Sequence, residues 1–248
     1  MAVVPKGNPA QVDPEKVFAG VPVTIFSRPS RTSTLMDNRY FTADRERRIG
    51  RNTEGIEPYT KEDIPTEPAK VYHLAGLVRG DIPEELIPYV AELGPVALDV
   101  QSVLRCREPD DSLLLRDWER KKEFLPYITF LKTDAAEAEM LTGTADREEA
   151  ARLLYSWGAR EVLITHNTEV IVFDGERIYR EPIKARNLTG RTGRGDTTFS
   201  VYLTERSRCD IPAALLFATA AVSLKMETPG PFAGTRADVE AYIREFYR

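Results

Sequence analysis

Short apolar runs alternate with amphipathic stretches from residue 70 to the C-terminus. The runs are KVYHLAGLV (70–78), VALDV (96–100), YITFLK (127–132) and EVLIT (161–165). Nearly continuous apolar runs of this length are typical of strands that are buried on both faces. Because strands that alternate with helices usually form a parallel sheet covered on both sides, the pattern predicts an α/β three-layer sandwich with a mostly parallel central sheet.

Helical periodicity separates these runs. The pattern predicts helices over 82–93, Arg116–Phe124, Ala135–Leu141, Arg147–Trp157, Thr197–Arg206, Ile211–Lys225 and Arg236–Tyr247. VIVFDGERIY (170–179) predicts a hairpin that turns at Asp174 and Gly175, because Asp-Gly favours a tight turn between two strands.

The N-terminal part has a different pattern. VPVTIF (21–26) and STLMDNRYF (33–41) are β-rich and precede a charged turn, which predicts a small antiparallel sheet that acts as a β lid. We therefore divide the chain into an N-terminal extension (1–20), a lid segment (21–60) and an α/β domain (61–248). An exposed face of the lid strands would be covered by substrate or by a second subunit, so we predict a homodimer through the lid.

Composition and charge narrow the function classes. With 248 residues, of which 42% are hydrophobic, the chain is long enough for one sizeable α/β domain. The formal net charge of −5 argues against nucleic acid or an acidic membrane surface as a partner and favours a small molecule. The basic run Arg45–Arg51 is interpreted as a solvated strand or turn, with a phosphate-binding patch as the alternative.

No segment indicates a membrane protein or an exported protein. The most apolar stretch, 211–224, is too short to cross a bilayer and is interrupted by Pro212, Thr219 and Ser223. The N-terminus has no continuous apolar run, and Cys106 and Cys209 form neither a disulfide framework nor a zinc-ligand cluster. We expect a cytoplasmic protein.

The segment 187–200, NLTGRTGRGDTTFS, carries the chemistry. Its glycines, Gly190, Gly193 and Gly195, allow backbone N–H groups to converge on an anion where a helix begins. Asp196 is either the cap of that helix or a base that takes the proton of an attacking hydroxyl group. A Walker A loop is absent from the sequence.

TGRGDTTF (192–199) resembles the TGAGD-type signature of the ribokinase-like (PfkB) carbohydrate kinase family. The resemblance implies a ribokinase-like fold in which 61–248 is the nucleotide-binding and catalytic domain. It also implies that Asp196 is the catalytic base, and that Gly193, Arg194 and Gly195 form the anion hole for the γ-phosphate. Arg194 stands where Ala is usual, and its side chain either adds charge at the phosphates or points to solvent.

Three other segments resemble the same family in the same order. In LKTDAAEAEMLTG (131–143), the resemblance implies that Glu137 helps to place Mg²⁺ and that Asp134, where Asn is usual, contacts the nucleotide. The alternative is that both are acids of a first helical turn, where the helix dipole favours them. The segments 158–175 and 215–232 imply further nucleotide contacts by Thr165, Asn167, Thr219 and Gly230, although the second segment is also explained as core.

VALDVQSVLR (96–105) resembles an Asp-x-Gln segment of some sugar and inositol kinases in this family. Asp99 and Gln101 follow a buried strand, and ligands bind at the carboxyl ends of strands in open α/β sheets, so both are candidates for substrate binding. Structural hydrogen bonding is the alternative. His73 and His166 have no partners at metal-ligand spacing and are not assigned a role.

The chain also departs from the family pattern in its opening segment and at the start of the signature. The usual opening segment, with its first strands, an acceptor-binding Asp and a Gly-Gly motif, has no counterpart, which indicates an incomplete gene product, a fragment or a variant acceptor site. Gly190 replaces the acidic residue that usually opens the signature and helps to bind a monovalent cation.

The resemblance implies an ATP-dependent kinase that uses ATP and Mg²⁺ to phosphorylate a hydroxyl of a sugar, polyol or nucleoside. One alternative is a non-catalytic nucleotide-binding module degenerated from a sugar kinase. The other is an α/β interaction protein in which Asp196 only caps a helix.

Overall fold

The structure is a computed structural model that describes residues 1–40 and 48–247. Its strands are β1 (Ala2–Val3), β2 (Lys6–Gly7), β3 (Thr24–Ile25), β4 (Arg28–Pro29), β5 (Leu35–Tyr40), β6 (Arg48–Glu54), β7 (Tyr72–Leu74), β8 (Val96–Asp99), β9 (Arg105–Arg107), β10 (Leu113–Leu115), β11 (Ile128–Asp134), β12 (Glu161–Thr165), β13 (Glu169–Phe173) and β14 (Ile178–Pro182). Its helices are α1 (Pro14–Val17), α2 (Leu86–Leu93), α3 (Gln101–Leu104), α4 (Lys121–Phe124), α5 (Ala135–Thr142), α6 (Arg147–Ser156), α7 (Arg194–Arg206), α8 (Ile211–Met226) and α9 (Arg236–Phe246).

Six of the described strands form the central sheet, in the order β14-β13-β12-β11-β8-β7. Strands β7, β8, β11 and β12 pair in parallel, whereas β13 pairs antiparallel with both of its neighbours, β12 and β14. Every residue of β8 and β12 is buried, as expected for strands that are covered on both faces. The prediction of a mostly parallel sheet is confirmed.

Helices cover both faces of this sheet. On one face, α7 and α8 pack with Phe199, Tyr202 and Leu215 against Ala97 and Leu163 of the strands. On the other face, α2, α5 and α6 bury Val90, Ala138 and Leu154 in a larger cluster with Leu98 and Leu131. The three-layer sandwich is therefore confirmed.

Four predicted helices agree with the structure to within one residue at each end: α5, α6, α8 and α9. The helix predicted over Arg116–Phe124 is wrong for its first half. Only Lys121–Phe124 is α-helical, because β10 pairs with β9 just before it and the buried Trp118 donates to Glu84. The helix predicted over 82–93 begins later, at Leu86.

Helix α7 begins at Arg194 and not at Thr197, as the pattern predicted. Gly193 caps it in the left-handed region (φ 82°), a conformation that glycine adopts without strain. Asp196 therefore lies inside the first turn and is not the N-cap residue. This position argues against the alternative in which Asp196 serves only as the cap of α7.

The N-terminal residues form short parallel pairs with the segment that follows them. β1 pairs with β3, and β2 pairs with β4. The buried Lys6 ammonium contacts Asp63 Oδ2 at 2.7 Å. These contacts cross residue 20, and the predicted division of the chain at residues 20 and 60 stays a prediction.

The predicted antiparallel sheet is present only in part: STLMDNRYF supplies β5 of the antiparallel β5–β6 hairpin, whereas VPVTIF supplies β3, which pairs in parallel with β1. A bridge between Arg51 and Ser112 joins it to the β9–β10 hairpin. Residues 41–47, which include the start of the basic run Arg45–Arg51, lie outside the described residues. Among the described helices, none is both long enough and apolar enough to cross a bilayer.

Candidate active site

A buried ion-pair cluster lies at the carboxyl edge of the sheet. Lys132 on β11 and Asp99 on β8 are register partners, and Lys132 Nζ lies 3.0 Å from Asp99 Oδ2. The same ammonium lies 3.8 Å from Glu137 Oε2 of α5. All three side chains are at most 6% exposed. A buried charge is costly unless it is paired, so each member of this cluster depends on the others.

The cluster shifts the titration of its members. Burial alone would lower the pKa of Lys132, but the carboxylates of Asp99, Glu137 and Asp134 outweigh burial and hold this pKa above its usual value. Burial raises the pKa of Glu137 to about 7, although the Lys132 ammonium partly opposes this. Lys132 is therefore a permanent cation at the sheet edge.

The Lys132 ammonium touches the first turn of α7. A Cβ atom on Gly195 would lie only 2.9 Å from Lys132 Nζ, so a residue without a side chain allows this approach. The first N–H groups of a helix have no intrahelical acceptor and attract anions. The N–H of Arg194 already donates to Arg191 O (3.2 Å), which makes Gly195 the better anion donor of the two.

Asp196 is exposed on this first turn. A Cβ atom on Gly193 would lie 3.9 Å from Asp196 Oδ2, so the carboxylate folds back beside the capping glycine. An exposed carboxylate, a helix start and a buried ammonium therefore meet at one place. This combination can hold a phosphoryl group and accept a proton from a nucleophile beside it.

His73 lies in the same cleft, at the carboxyl end of β7. It is exposed, and its ring packs edge-on against Phe199 of α7 at a centroid distance of 4.9 Å. Loss of hydration lowers the pKa of His73; Asp99 and Asp196 oppose this shift, and Lys132 adds to it. The contact with Phe199 of α7 and the pairing of His73 with Ala97 of β8 place the imidazole beside the elements that carry Asp196 and Asp99.

Two arginines converge on the loop after β12. Arg191 Nη2 donates to Asn167 Oδ1 at 2.6 Å, and Arg194 Nη1 donates to the same oxygen. The side chain of Arg194 is therefore directed along the cleft and does not simply point to solvent. Two arginines of the glycine loop, defined here as 190–195, thus join that loop to Asn167.

The other predicted nucleotide contacts lie in different surroundings. Asp134 caps α5, where it accepts from Glu137 N at 2.8 Å. Thr165 and Thr219 are fully buried, and Thr219 Oγ1 has no hydrogen-bond partner among the described residues. Gly230 lies in an open loop with φ 95°. The buried hydroxyl groups offer no surface to a ligand in this conformation.

The predicted substrate and metal residues are held by neighbours. Gln101 N donates to Asp99 Oδ1 at 3.1 Å, and the Gln101 side chain accepts from Arg105. Glu137 Oε2 accepts from Asp134 N at 2.8 Å in a capping box. No cluster of three or more His, Cys, Asp or Glu side chains suited to a metal occurs in the described part of the chain. These residues do not by themselves form a magnesium site.

Sequence reasoning missed Lys132 and left His73 unassigned. A lysine at the end of the apolar run YITFLK is a usable signal, since a charge in a strand buried on both faces needs a partner. The exposure of His73 could not be predicted from the sequence, because it depends on the position of β7 at the edge of the sheet.

The fold and the site define an α/β protein with an anion-binding helix start at the carboxyl edge of its sheet. Comparison with known proteins agrees. The sequence model described as "pfkB family carbohydrate kinase" matches residues 19–237, and the chain belongs to this family.

Among curated proteins, the chain is similar to a cytidine kinase of Thermococcus kodakarensis, with 32% identity over 152 residues. The match covers 58% of this chain and 51% of that protein, so it spans about half of the length of the relative.

Several solved structures share the fold. A sulfate complex of a pyrophosphate-dependent kinase in the ribokinase family superposes with a TM-score of 0.88 and 34% identity, over 97% of this chain and 85% of the other. A complex described as a pyrophosphate-dependent kinase with a pyrophosphate analog and myo-inositol gives the same values. Ribokinase of Arabidopsis thaliana with ribose and ATP matches with a TM-score of 0.71 and 18% identity, over 98% of this chain and 81% of the other, which shows the fold alone.

Proposed function

We propose that this chain transfers a phosphoryl group to a hydroxyl of a sugar, polyol or nucleoside, with Asp196 as the general base. The observation that carries the proposal is the exposed carboxylate on the first turn of α7, directly after glycines that admit the Lys132 ammonium. The kinases to which the chain is similar act on acceptors of these classes by their names.

The proposed reaction uses the residues in order. Asp196 accepts the proton of the acceptor hydroxyl as its oxygen attacks phosphorus. The glycine loop, with Gly193, Arg194 and Gly195, holds the transferred group through backbone N–H groups, and Lys132 adds a fixed positive charge. Mg²⁺ would neutralise charge on the donor phosphates when it is bound.

ATP is the donor that the resemblance implies. In this proposal Asp134, Asn167 and Gly230 would lie along the nucleotide, and the buried Thr165 and Thr219 would support the pocket from behind. ATP complexes are known for ribokinase-family structures to which this fold is similar.

Pyrophosphate is the second candidate donor. Arg191 and Arg194 both bind Asn167 Oδ1, which brings two guanidinium groups to the place where the resemblance puts the nucleotide. Guanidinium groups match the geometry of phosphate oxygens, which they can bind through two parallel N–H bonds. The kinase with 34% identity is named as pyrophosphate-dependent, which favours the same donor.

On the acceptor side, we assign the first contact to His73, with Asp99 and Gln101 behind it. His73 is exposed in the cleft and can exchange hydrogen bonds with a hydroxyl group. Asp99 is 4% exposed and bound to Lys132, and Gln101 is bound to Arg105. We expect Asp99 and Gln101 to shape the acceptor site mainly through these partners.

The test measures the phosphorylated product with ATP or with pyrophosphate as donor, in the presence of Mg²⁺. Ribose, myo-inositol and cytidine serve as acceptors. The variant Asp196→Asn keeps the size of the side chain and removes the base, so we expect turnover to fall by about 10²- to 10⁴-fold. Asp210→Asn is the matched control, because Asp210 only caps α8 by accepting from Ala213 N.

Equal turnover in Asp196→Asn and the native chain would contradict the role of the base. Donor binding without turnover on any acceptor would favour the non-catalytic module. Absence of donor binding would favour the interaction protein.

A further inference from the structure

A second buried lysine reaches the glycine loop from the opposite side. Lys225 lies in the last turn of α8 and is 3% exposed. Its ammonium donates to the backbone carbonyl groups of Gly190 and Thr192. Neither the proposed reaction nor the family signature uses this residue.

The same loop is tied to the end of α8 by its own backbone. Gly190 N donates to Met226 O at 2.7 Å, and Thr189 Oγ1 donates to Glu227 O at 2.9 Å. The carbonyl oxygens of Gly190 and Thr192 therefore face a space between two segments that are fixed to each other. The Lys225 ammonium fills that space.

Backbone carbonyl oxygens around a compact cation are the environment that proteins offer to monovalent cations. A lysine ammonium has one positive charge and three donors, so it can satisfy carbonyl groups in the same way. An acidic side chain is excluded at the start of this loop, because a Cβ atom on Gly190 would lie 1.9 Å from Thr228 O.

The ammonium also lies under the residue that starts α7. A Cβ atom on Gly193 would be 3.9 Å from Lys225 Nζ and 3.9 Å from Asp196 Oδ2. Without the ammonium, the carbonyl groups of Gly190 and Thr192 would lose the hydrogen bonds that they accept from Lys225. We expect the loop to relax and to misplace both the capping glycine and Asp196.

We infer that Lys225 is a built-in monovalent cation: its ammonium occupies a carbonyl-lined cation position and holds the glycine loop in its anion-binding shape. Lys225 is thus a positioning residue, and the native protein needs no potassium or ammonium ion. The activity readout for this inference rests on the proposed function.

The experiment compares two variants that lack the charge. Lys225→Ala opens the space for an external cation, whereas Lys225→Met keeps the apolar stem and leaves the space closed. We expect both to lose phosphoryl transfer by about 10²-fold. Ammonium, potassium or ethylammonium chloride should restore at least about a tenth of native turnover to Lys225→Ala and none to Lys225→Met.

Tetramethylammonium chloride at equal ionic strength is the control salt, because it cannot donate to carbonyl groups. Lys184→Ala is the control variant, since Lys184 also donates to a backbone carbonyl, that of Phe246, but lies outside the glycine loop. We expect that variant to keep native turnover in every salt.

Three kinds of result would overturn the inference. The first is native turnover by Lys225→Ala in tetramethylammonium chloride. The second is a folded Lys225→Ala protein that no cation activates, or an active Lys225→Met protein, since either result would mean that only the packing of the stem matters. The third needs no variant: potassium activation of the native protein by more than about 3-fold over tetramethylammonium chloride, because a filled site cannot respond to an added cation.

Binding of inorganic pyrophosphate and of sulfate, measured by calorimetry, separates this inference from the proposed function. If the native chain transfers no phosphoryl group but Lys225→Ala binds these anions only with added ammonium, the proposed function fails and the inference stands. If transfer occurs and binding by Lys225→Ala ignores added cations, the inference fails alone.

Discussion

Charge is handled in opposite ways around the glycine loop and at the surface pair of Arg31 and Glu57, which flanks the β5–β6 hairpin. Around the loop, Lys132 and Lys225 are at most 5% exposed and are held by carboxylates or carbonyl groups. In the N-terminal region, Arg31 and Glu57 form an ion pair whose side chains are 87% and 44% exposed. Buried cations fix the geometry that an anion needs, whereas exposed pairs mainly keep a surface hydrated.

The largest expected effect is that of Lys132→Met. This change leaves the carboxylates of Asp99 and Glu137 buried without their cation, so we expect a loss of about 3–5 kcal/mol in the free energy of unfolding. Urea denaturation measures it. Lys16→Met, which breaks an exposed pair with Asp13, should leave the free energy of unfolding nearly unchanged. Equal losses in the two variants would erase the contrast between the regions.

Gly195→Ala should reduce activity more than stability. The new methyl group would displace the Lys132 ammonium, which is the flexible end of a side chain, so the fold adapts while the anion site loses its cation. We expect turnover to fall by about 10²-fold with little change in Tm. Gly55→Ala is the control, since its Cβ atom would approach nothing closer than Asn52 Oδ1 at 3.8 Å. An active Gly195→Ala enzyme would contradict the placement of Lys132 at the phosphoryl group.

His73→Ala should raise the KM for the acceptor by about 10-fold, the cost of one lost hydrogen bond, and leave the KM for the donor unchanged. Steady-state kinetics with either substrate varied measures both constants. His166→Ala is the control, because the His166 ring contacts Thr168 on the loop after β12. A change in the donor KM alone would mean that His73 contacts the donor and not the acceptor.

The pH dependence of stability offers a smaller effect. Hydrogen bonds from Arg186 lower the pKa of Glu227 to about 2 from its usual 4.5. A lowered folded pKa gives stability that is complete above pH 4.5 and is lost as the pH falls toward 2. Glu227→Gln should therefore flatten the Tm profile in that window, as followed by circular dichroism. Glu57→Gln, in the exposed pair, should keep the native profile.

The smallest effect is expected at the lid, where the predicted homodimer would form. Leu35 on β5 is 57% exposed. Leu35→Glu should shift a dimer to monomer in light scattering and leave Tm nearly unchanged, because the side chain is already hydrated in the isolated chain. A native protein that is monomeric at high concentration would contradict the homodimer.

The elements of the sheet could be predicted because each depends on a local pattern. The runs that became β8, β11 and β12 are buried on both faces, and their apolar composition reports this directly. The N-terminal pairs could not be predicted in the same way. β1 and β3 have two residues each, and their partnership joins residues that are far apart in the chain.

The site could be predicted where one continuous segment contains both the anion-binding N–H groups and the reactive side chain, as in the glycine loop with Asp196. It was not predictable where a side chain arrives from another element. Lys225 was placed in an apolar helix, and only the packing of α8 against α7 brings its ammonium to Gly190. The start of α7 was misjudged because the φ of 82° at Gly193 is invisible in the pattern.

The crowding at Gly190 also restricts how this protein can evolve. Any side chain there would overlap the carbonyl group of Thr228, so an acidic residue cannot return by a single substitution. The segment after α8 would have to retreat first, and Lys225 would have to give up its place for an ion to enter. Loss of Lys225 alone would therefore make the loop depend on an external cation, whereas an acidic residue at position 190 requires the segment after α8 to move first.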